Sequence, residues 1–428
     1  MAETPSPSTL KLLERARAAF RGAPNLLETI GWPRSLERAF FASGGEVLPE
    51  PVYRIDRDAS MTRLAALAEF DRELVGDDAL VRLLRARTRS HRLGEELVLA
   101  AGTSTFFTLS REIYGSARTS WLDGDTTNLA FAEHVASRLQ VDPADDDDEP
   151  ADVLDAAALA ASLTERLERR KRAPELSIVL DEDLGAKAIA GKKRLRIRAD
   201  ATFTREEARS LYLHEVETHI FTAQNGDLQP HLDFLDSGGP LSTRTQEGLA
   251  VFSELHAQAL TIGRLKRLAD RVKLVGMAED GANFIELHRY LLDAGVEPRA
   301  AYLDAARICR GGKCEGGAPF TKDAAYLGGL MEVYNFLRLS VGPGGRRVAS
   351  VLVSGRLALD EVDALVSLAD DGLLAPPAFL PGWLRRWDDL LTHFTFSSFL
   401  NQIDLDFIAR RHPWLAHRPR QTSSGTPA

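Results

Sequence analysis

Cysteine is almost missing from this chain: Cys309 and Cys314 are the only two in 428 residues. Two are too few for a disulfide framework, which excludes the small secreted scaffolds held together by such bridges. Both fall in the glycine-rich segment 307–317, with no histidine or third cysteine beside them to complete a second metal site, so free thiols in a reducing compartment are expected. Basic residues are in deficit too. Lys and Arg total 53 against 62 Asp and Glu, a formal net charge of −9, which gives no support for a nucleic-acid or anionic-membrane partner. The same balance counts against an acidic polypeptide substrate unless a local basic patch overrides it. No apolar run is long enough to span a bilayer, and residues 1–10 lack the charged start and hydrophobic stretch of an export signal, so a cytoplasmic, soluble protein is expected. Internal repeats and long heptads are missing as well. What is left is an ordinary globular composition, 44% hydrophobic and 27% charged, in a chain long enough to bury a large core and to form more than one domain.

Residues 1–9 are small, polar and proline-containing and read as a disordered tail. Residues 10–141 read as a helical region, with apolar residues at three- and four-residue spacing in 64–70 and 79–87 and a buried helix pair over 95–114. Ser104 and Ser110 within it have no partner histidine in view, which argues against a serine nucleophile. The segment 142–150, acids set between prolines, reads as a solvated loop; the glycine and spacing of a calcium-binding loop are absent. A core region over 151–345 follows, opening with a helix over 151–172 whose basic end suits a helix C-terminus. Next comes a β region: a strand over 176–180, then a hairpin of 186–190 with 195–198 around Gly191-Lys192-Lys193, its alternating arginines forming a solvated face. Amphipathic helices are expected over 284–294 and 300–308. A second helical region over 346–418 includes final helices at 383–391 and 397–410, and 419–428 reads as a tail.

The densest chemistry lies in Leu211-Tyr212-Leu213-His214-Glu215-Val216-Glu217-Thr218-His219-Ile220. Neutral imidazoles bind Zn²⁺, and a carboxylate beside one can take a proton from water at the metal. Glu215 suits that second job. The spacing departs from H-E-x-x-H, which sets two imidazoles on one helix face. At i+5 the second histidine sits roughly 140° around a regular helix from the first, too far for both to grip one ion. A local π-type widening brings them back to nearly one face. Thr204 with Glu207 reads as a capping box, and Gln224-Asn225-Gly226 as a left-handed stop, so the helix is expected over 205–224. The plain alternative is a chance grouping of two histidines and a glutamate on a buried helix. A second element weighs against chance: Arg244 to Phe252 opens another helix with Glu247 in its first turn, a common source of the third ligand that a two-histidine site needs. Glu254, on the same face, either competes for that position or hydrogen-bonds a ligand histidine. His256 reads as structural. The donor set alone does not choose zinc over iron or manganese.

Together, His214-Glu215-x-x-x-His219 and Gln246-Glu247-Gly248-Leu249-Ala250 resemble the QEGLA family, a bacterial domain. Its eukaryotic relatives include the microtubule-associated tyrosine carboxypeptidase, which removes the terminal tyrosine of α-tubulin. The blocks Phe320-Thr321-Lys322-Asp323-x-x-Tyr326-Leu327-x-Gly329 and Leu374 to Trp383 are also similar, and the resemblance covers roughly residues 30 to 410. It implies a zinc peptidase in which His214, His219 and Glu247 bind the metal and Glu215 is catalytic. The tubulin chemistry need not transfer with it.

A carboxypeptidase must hold a terminal carboxylate, which arginine or lysine does through charge-assisted hydrogen bonds. Arg307, Arg310 and Lys322 are the candidates, with Tyr326 as a donor to the developing oxyanion. A surface loop with Thr321 capping a helix accounts for most of the same residues. The fold expected is mainly α with a small β-sheet (α+β): a zincin-like metallopeptidase core wrapped by helices, in which a strand edge beside the metal-binding helix can hold an extended peptide. The function expected is zinc-dependent removal of a residue from a peptide or protein C-terminus. Two alternatives stay open. A metal-dependent amidase acting on a small molecule or cell-wall peptide needs no free α-carboxylate; a regulatory protein with structural zinc has no need of Glu215.

Overall fold

A computed structural model describes residues 5–121, 123–139, 153–182, 184, 187–403 and 410. They are mainly helical with a small sheet. The expected acidic loop 142–150 and tail 419–428 lie outside the described residues. The chain forms two units, Met1–Arg385 and Arg386–Ala428. In the second, the helix Trp387–Leu400 runs through the break expected between helices at 383–391 and 397–410, because neither proline nor glycine interrupts it. Gly382–Arg385 is a short helix of the first unit, and residues 404–409 lie outside the described ones.

In the first unit, the helix Pro7–Phe20 begins inside the segment expected to be a disordered tail. Ser6 accepts a hydrogen bond from the Thr9 amide at 3.2 Å, Pro7 takes a first-turn position that needs no N–H, and Leu13, Ala16 and Phe20 are buried. Of the helix pair expected over 95–114, only the second, Ser104–Tyr114, lies within those bounds; residues 95–99 end one long helix, Ala79–Leu99, that takes in the 79–87 segment. The two helices are separated at Gly102, whose φ of 83° suits a residue without Cβ.

The helix expected over 151–172 is shorter at both ends. Val153–Asp155 is instead a strand, β1, and the helix is Ala156–Glu168, started by Asp155, whose side chain accepts from the Ala158 amide at 2.7 Å. The remaining strands are β2 (Ser177–Asp181), β3 (Ala188–Ala190), β4 (Arg194–Arg198) and β5 (Thr202–Thr204). β3 and β4 form the expected antiparallel hairpin, β2 adds to β4 in parallel, and β1 pairs antiparallel with β5. Leu195 and Ile197 on β4 are fully buried while Arg194 and Arg196 face solvent, as the alternation requires. Behind this sheet, Leu159 and Leu163 join Leu195, Ile197 and Phe203 in a core against Tyr212, Leu213, Val216, Ile220 and Phe221. The histidine-bearing helix is thus fixed along its apolar face. β5 ends at Thr204, which begins that helix.

Candidate metal and catalytic site

The helix starts with the expected capping box: the Thr204 side chain accepts from the Glu207 amide, and the Glu207 carboxylate accepts from the Thr204 amide. It then changes gauge. Arg205–Leu211 is α-helical, Tyr212–Ile220 is π-helical, and Phe221–Asp227 returns to α. The wider turn does what the i+5 spacing demands, and the His214 and His219 rings lie 4.9 Å apart at 84° to each other. The expected left-handed stop at Gly226 is absent. The helix continues through it, and a Cβ there would sit 2.4 Å from the Leu235 carbonyl, so this glycine serves close packing rather than a turn.

The second helix is Thr243–His256, with Glu247 opening its second turn rather than lying in its first. Gly248 lies directly against Gly329 of the helix Ala325–Leu339: a Cβ on Gly248 would meet the Gly329 carbonyl at 2.2 Å, and one on Gly329 would meet the Arg244 carbonyl at 2.0 Å. This backbone approach brings the 322–326 segment to Glu247. Glu247 Oε1 accepts from Lys322 Nζ at 2.7 Å, whereas Oε2 lies 3.4 Å from His214 Nε2 and 3.7 Å from His219 Nε2. One donor atom from each of His214, His219 and Glu247 lies within 4.8 Å of the other two. Glu247 Oε2 is buried without a hydrogen-bond partner. An orphaned buried carboxylate oxygen facing two imidazole nitrogens fits a divalent cation with N and O ligands.

Electrostatics agree with that fit. Burial alone lowers the His214 pKa, but Glu247 and Glu254 outweigh it and lift it to about 10. Burial raises that of Glu247, yet Lys322, His214 and His219 draw it well below the usual carboxylate range. A site that holds a proton this firmly is one in which a metal cation is also well compensated.

Glu254 lies on the other side of the His214 ring, its Oε1 2.7 Å from Nδ1. It is therefore outside the three-atom cluster and stands where a carboxylate orients a ligand histidine. Fully buried, it accepts further hydrogen bonds from Ser210 Oγ at 2.6 Å and from the Arg264 guanidinium. Burial pushes its pKa up; His214 and Arg264 prevail and hold it at about 2. Ser210 and Arg264 were not anticipated from the sequence. Ser210 had a signal, lying one helical turn before His214; Arg264, on the helix Ile262–Glu279, had none. Gln246, which opens the Gln246-Glu247-Gly248-Leu249-Ala250 motif but had no role assigned, accepts from Thr222 Oγ1 at 2.8 Å and ties the two helices together.

Glu215 is part-buried and, among the described residues, makes no hydrogen bond or ion pair. Of the four residues expected to meet substrate, the fold brings two to the cluster. Lys322 holds Glu247, and the Tyr326 ring lies 6.3 Å from that of His214, nearly parallel to it. Arg307 is engaged elsewhere, in a two-pronged pair with Asp323 at 2.9 and 2.6 Å. Arg310 stands 5.8 Å over the Phe320 ring, with a buried, unpartnered Nε; burial and the Arg307 charge lower its pKa to about 10. Thr321 caps no helix: it is fully buried and hydrogen-bonds Ser110. Cys309 and Cys314 are buried free thiols.

The model of the microtubule-associated tyrosine carboxypeptidase family matches residues 38–402. The chain belongs to that family. A comparison with curated proteins gives no match. The span shared with the tyrosine carboxypeptidase family contains the whole cluster, from Ser210 through Glu247 and Glu254 to Tyr326. Family membership supports a carboxypeptidase-like activity. Among the described residues no helix is long and apolar enough to cross a membrane.

Proposed function

We propose that this protein is a zinc-dependent metallocarboxypeptidase with a zincin-like core, releasing the last residue of a peptide or protein chain. The observation that carries the reading is the buried, unpartnered Glu247 Oε2 facing His214 Nε2 and His219 Nε2. His214, His219 and Glu247 would hold the ion. Zinc bound there supplies Lewis-acid polarisation of the scissile carbonyl and lowers the pKa of water. Glu215, next to a ligand and without a hydrogen bond or ion pair among the described residues, takes the proton from the attacking water and delivers it to the leaving amine. Lys322 keeps Glu247 ionised and fixed in orientation, and Glu254 does the same for the His214 ring. Tyr326, stacked near His214, is the donor available to the oxyanion. β3 is an edge strand of its sheet, so an extended peptide can add to it through backbone hydrogen bonds. The family's name makes a C-terminal tyrosine the first residue to try.

The test is Glu215→Gln beside wild type, with zinc measured by mass spectrometry and tyrosine release measured from peptides ending in tyrosine. Zinc content should be unaltered at about one per chain, and turnover should fall on the order of 10²–10⁴-fold. A folded, zinc-loaded variant with full activity would remove the mechanism.

A further inference from the structure

His214 Nδ1 has two neighbours that ask opposite things of it. Glu254 Oε1 lies 2.7 Å away and, as a carboxylate, can only accept a hydrogen bond; Arg264 Nη2 lies 3.3 Å away and can only donate one. A neutral imidazole that offers its Nε2 lone pair to a cation must carry its proton on Nδ1. Glu254 is therefore the partner that a ligand histidine needs, and Arg264 is the wrong one. Resting on the zinc-site reading above, we propose that Arg264 is a positioning residue: by engaging both oxygens of Glu254 it holds that carboxylate against Nδ1 and keeps Nε2 available to the ion.

The contacts are those of a fork closed on a carboxylate. Arg264 Nη2 donates to Glu254 Oε1 at 2.6 Å, and its Nε donates to Oε2. The Nη2 contact with Glu254 is shorter than the one with His214, so the guanidinium is committed to the carboxylate and not to the ring. Ser210 Oγ adds a second donor to Oε2 at 2.6 Å, which leaves Oε1 facing the imidazole. The Glu254 side chain is 0% exposed and that of Arg264 25%, so the carboxylate has no water to fall back on if the guanidinium is removed. On the far side of the same ring, Nε2 stands 3.4 Å from Glu247 Oε2.

The chain delivers Arg264 by folding back on Glu254 itself. The Thr243–His256 helix ends two residues after Glu254, whose carbonyl accepts from the amides of Ala259 at 2.8 Å and Leu260 at 3.2 Å. The turn holds Gln258 at a φ of 54°, the one non-glycine residue with positive φ among the described residues. Residues with a Cβ rarely adopt that conformation, and it persists where the surroundings fix it. Arg209, on the histidine-bearing helix, donates to the Ala257 carbonyl and ties the turn to that helix. Thr261 then starts the helix Ile262–Glu279 by accepting from the Arg264 amide at 3.2 Å. Arg264 thus sits in a first helical turn, where the helix dipole disfavours a cation. Local structure gives no reason for an arginine there; the contact with Glu254 does.

The experiment measures zinc affinity by chelator competition in wild type, Arg264→Met, Glu254→Gln and the double variant. Arg264→Met should weaken zinc binding by on the order of tenfold. The same change should add little once Glu254 is glutamine, because the arginine acts through that carboxylate. Cobalt loaded in place of zinc gives a second readout: its visible bands should shift in both single variants. Arg264→Lys keeps the charge without the fork, should bind zinc with an affinity between those of wild type and Arg264→Met, and covers the case in which the methionine variant folds poorly. Unchanged affinity in Arg264→Met overturns the proposal. Tighter binding also overturns it, since the arginine would then act only as a charge repelling the ion. Equal losses with Glu254 and with Gln at position 254 overturn it as well, while leaving the zinc site standing. Wild type that takes up neither zinc nor cobalt removes the metal-site reading itself, and this proposal with it.

Discussion

Gly248 and Gly329 meet backbone to backbone: a Cβ on Gly248 would come within 2.2 Å of the Gly329 carbonyl oxygen. The contact lies one residue from Glu247, so the closeness of the two helices also sets the reach of Lys322 to that carboxylate. A methyl group at either glycine must push main chain apart, since no flexible side chain is there to yield. Gly248→Ala and Gly329→Ala should each lower stability by about 1–3 kcal/mol and reduce zinc retention. Thermal unfolding with and without zinc measures both effects. An unshifted midpoint in both variants would contradict the packing argument.

Glu254 faces the ring nitrogen of His214 that points away from Glu247. Its role as an orienting carboxylate predicts that Glu254→Gln still binds zinc, with affinity lower by about 10–100-fold. Competition against a chelator of known affinity checks this. Complete loss of zinc would instead make Glu254 a ligand, and no change would make it merely structural.

Arg307 was expected to meet substrate, whereas the structure pairs it with Asp323, whose side chain is 3% exposed. Removing Arg307 leaves buried Asp323 with only the more distant Arg271, at 3.9 Å, to compensate it. Arg307→Met should therefore cost roughly 3–5 kcal/mol in urea unfolding, and adding Asp323→Asn should restore part of the loss. If the single variant keeps wild-type stability and shows only a raised KM, the substrate role returns.

His91 is buried, with its ring stacked 4.8 Å from that of Phe20. Burial, then the Arg87 charge, pushes its pKa down to about 4. The folded state thus keeps this imidazole neutral at pH values where the unfolded chain protonates it. Unfolding takes up a proton between about pH 6.5 and 4, so stability falls as pH drops through that window. The loss amounts to on the order of 3 kcal/mol by pH 4, at about 1.4 kcal/mol per pH unit. His91→Leu should show a smaller drop in urea midpoint between pH 7 and pH 4.5 than wild type does. Equal drops in both proteins would exclude His91 as the source.

Much of the candidate site was legible because its signals are local. The capping box Thr204–Glu207 is decided by residues within one helical turn. The i+5 histidine spacing allows a shared ion only if the helix widens, and Tyr212–Ile220 is a π-helix. The β3–β4 hairpin follows from alternation around a glycine turn. Errors came where a residue's local preference and its tertiary surroundings differ. Gly226 looks like a helix stop in isolation, but the returning chain at Leu235 requires it as a helical residue without a side chain. The segment at 153–155 could have joined the following helix, and β5, fifty residues away in sequence, took it as a strand partner.

The sequence by itself determined which chemistry is present: two imidazoles, a neighbouring free carboxylate and a third acidic group on the next helix. Short-range spacing encodes these, and a helix reads out spacing directly. Only the tertiary structure decided which charge answers which. Lys322 went to Glu247 and Arg307 to Asp323, and Arg264 came in to hold Glu254. Those assignments depend on distances between segments far apart in the chain, as the close contact of Gly248 with Gly329 illustrates for Lys322 and Glu247. Coulomb interactions act through space, so no local pattern along the chain could have ranked them.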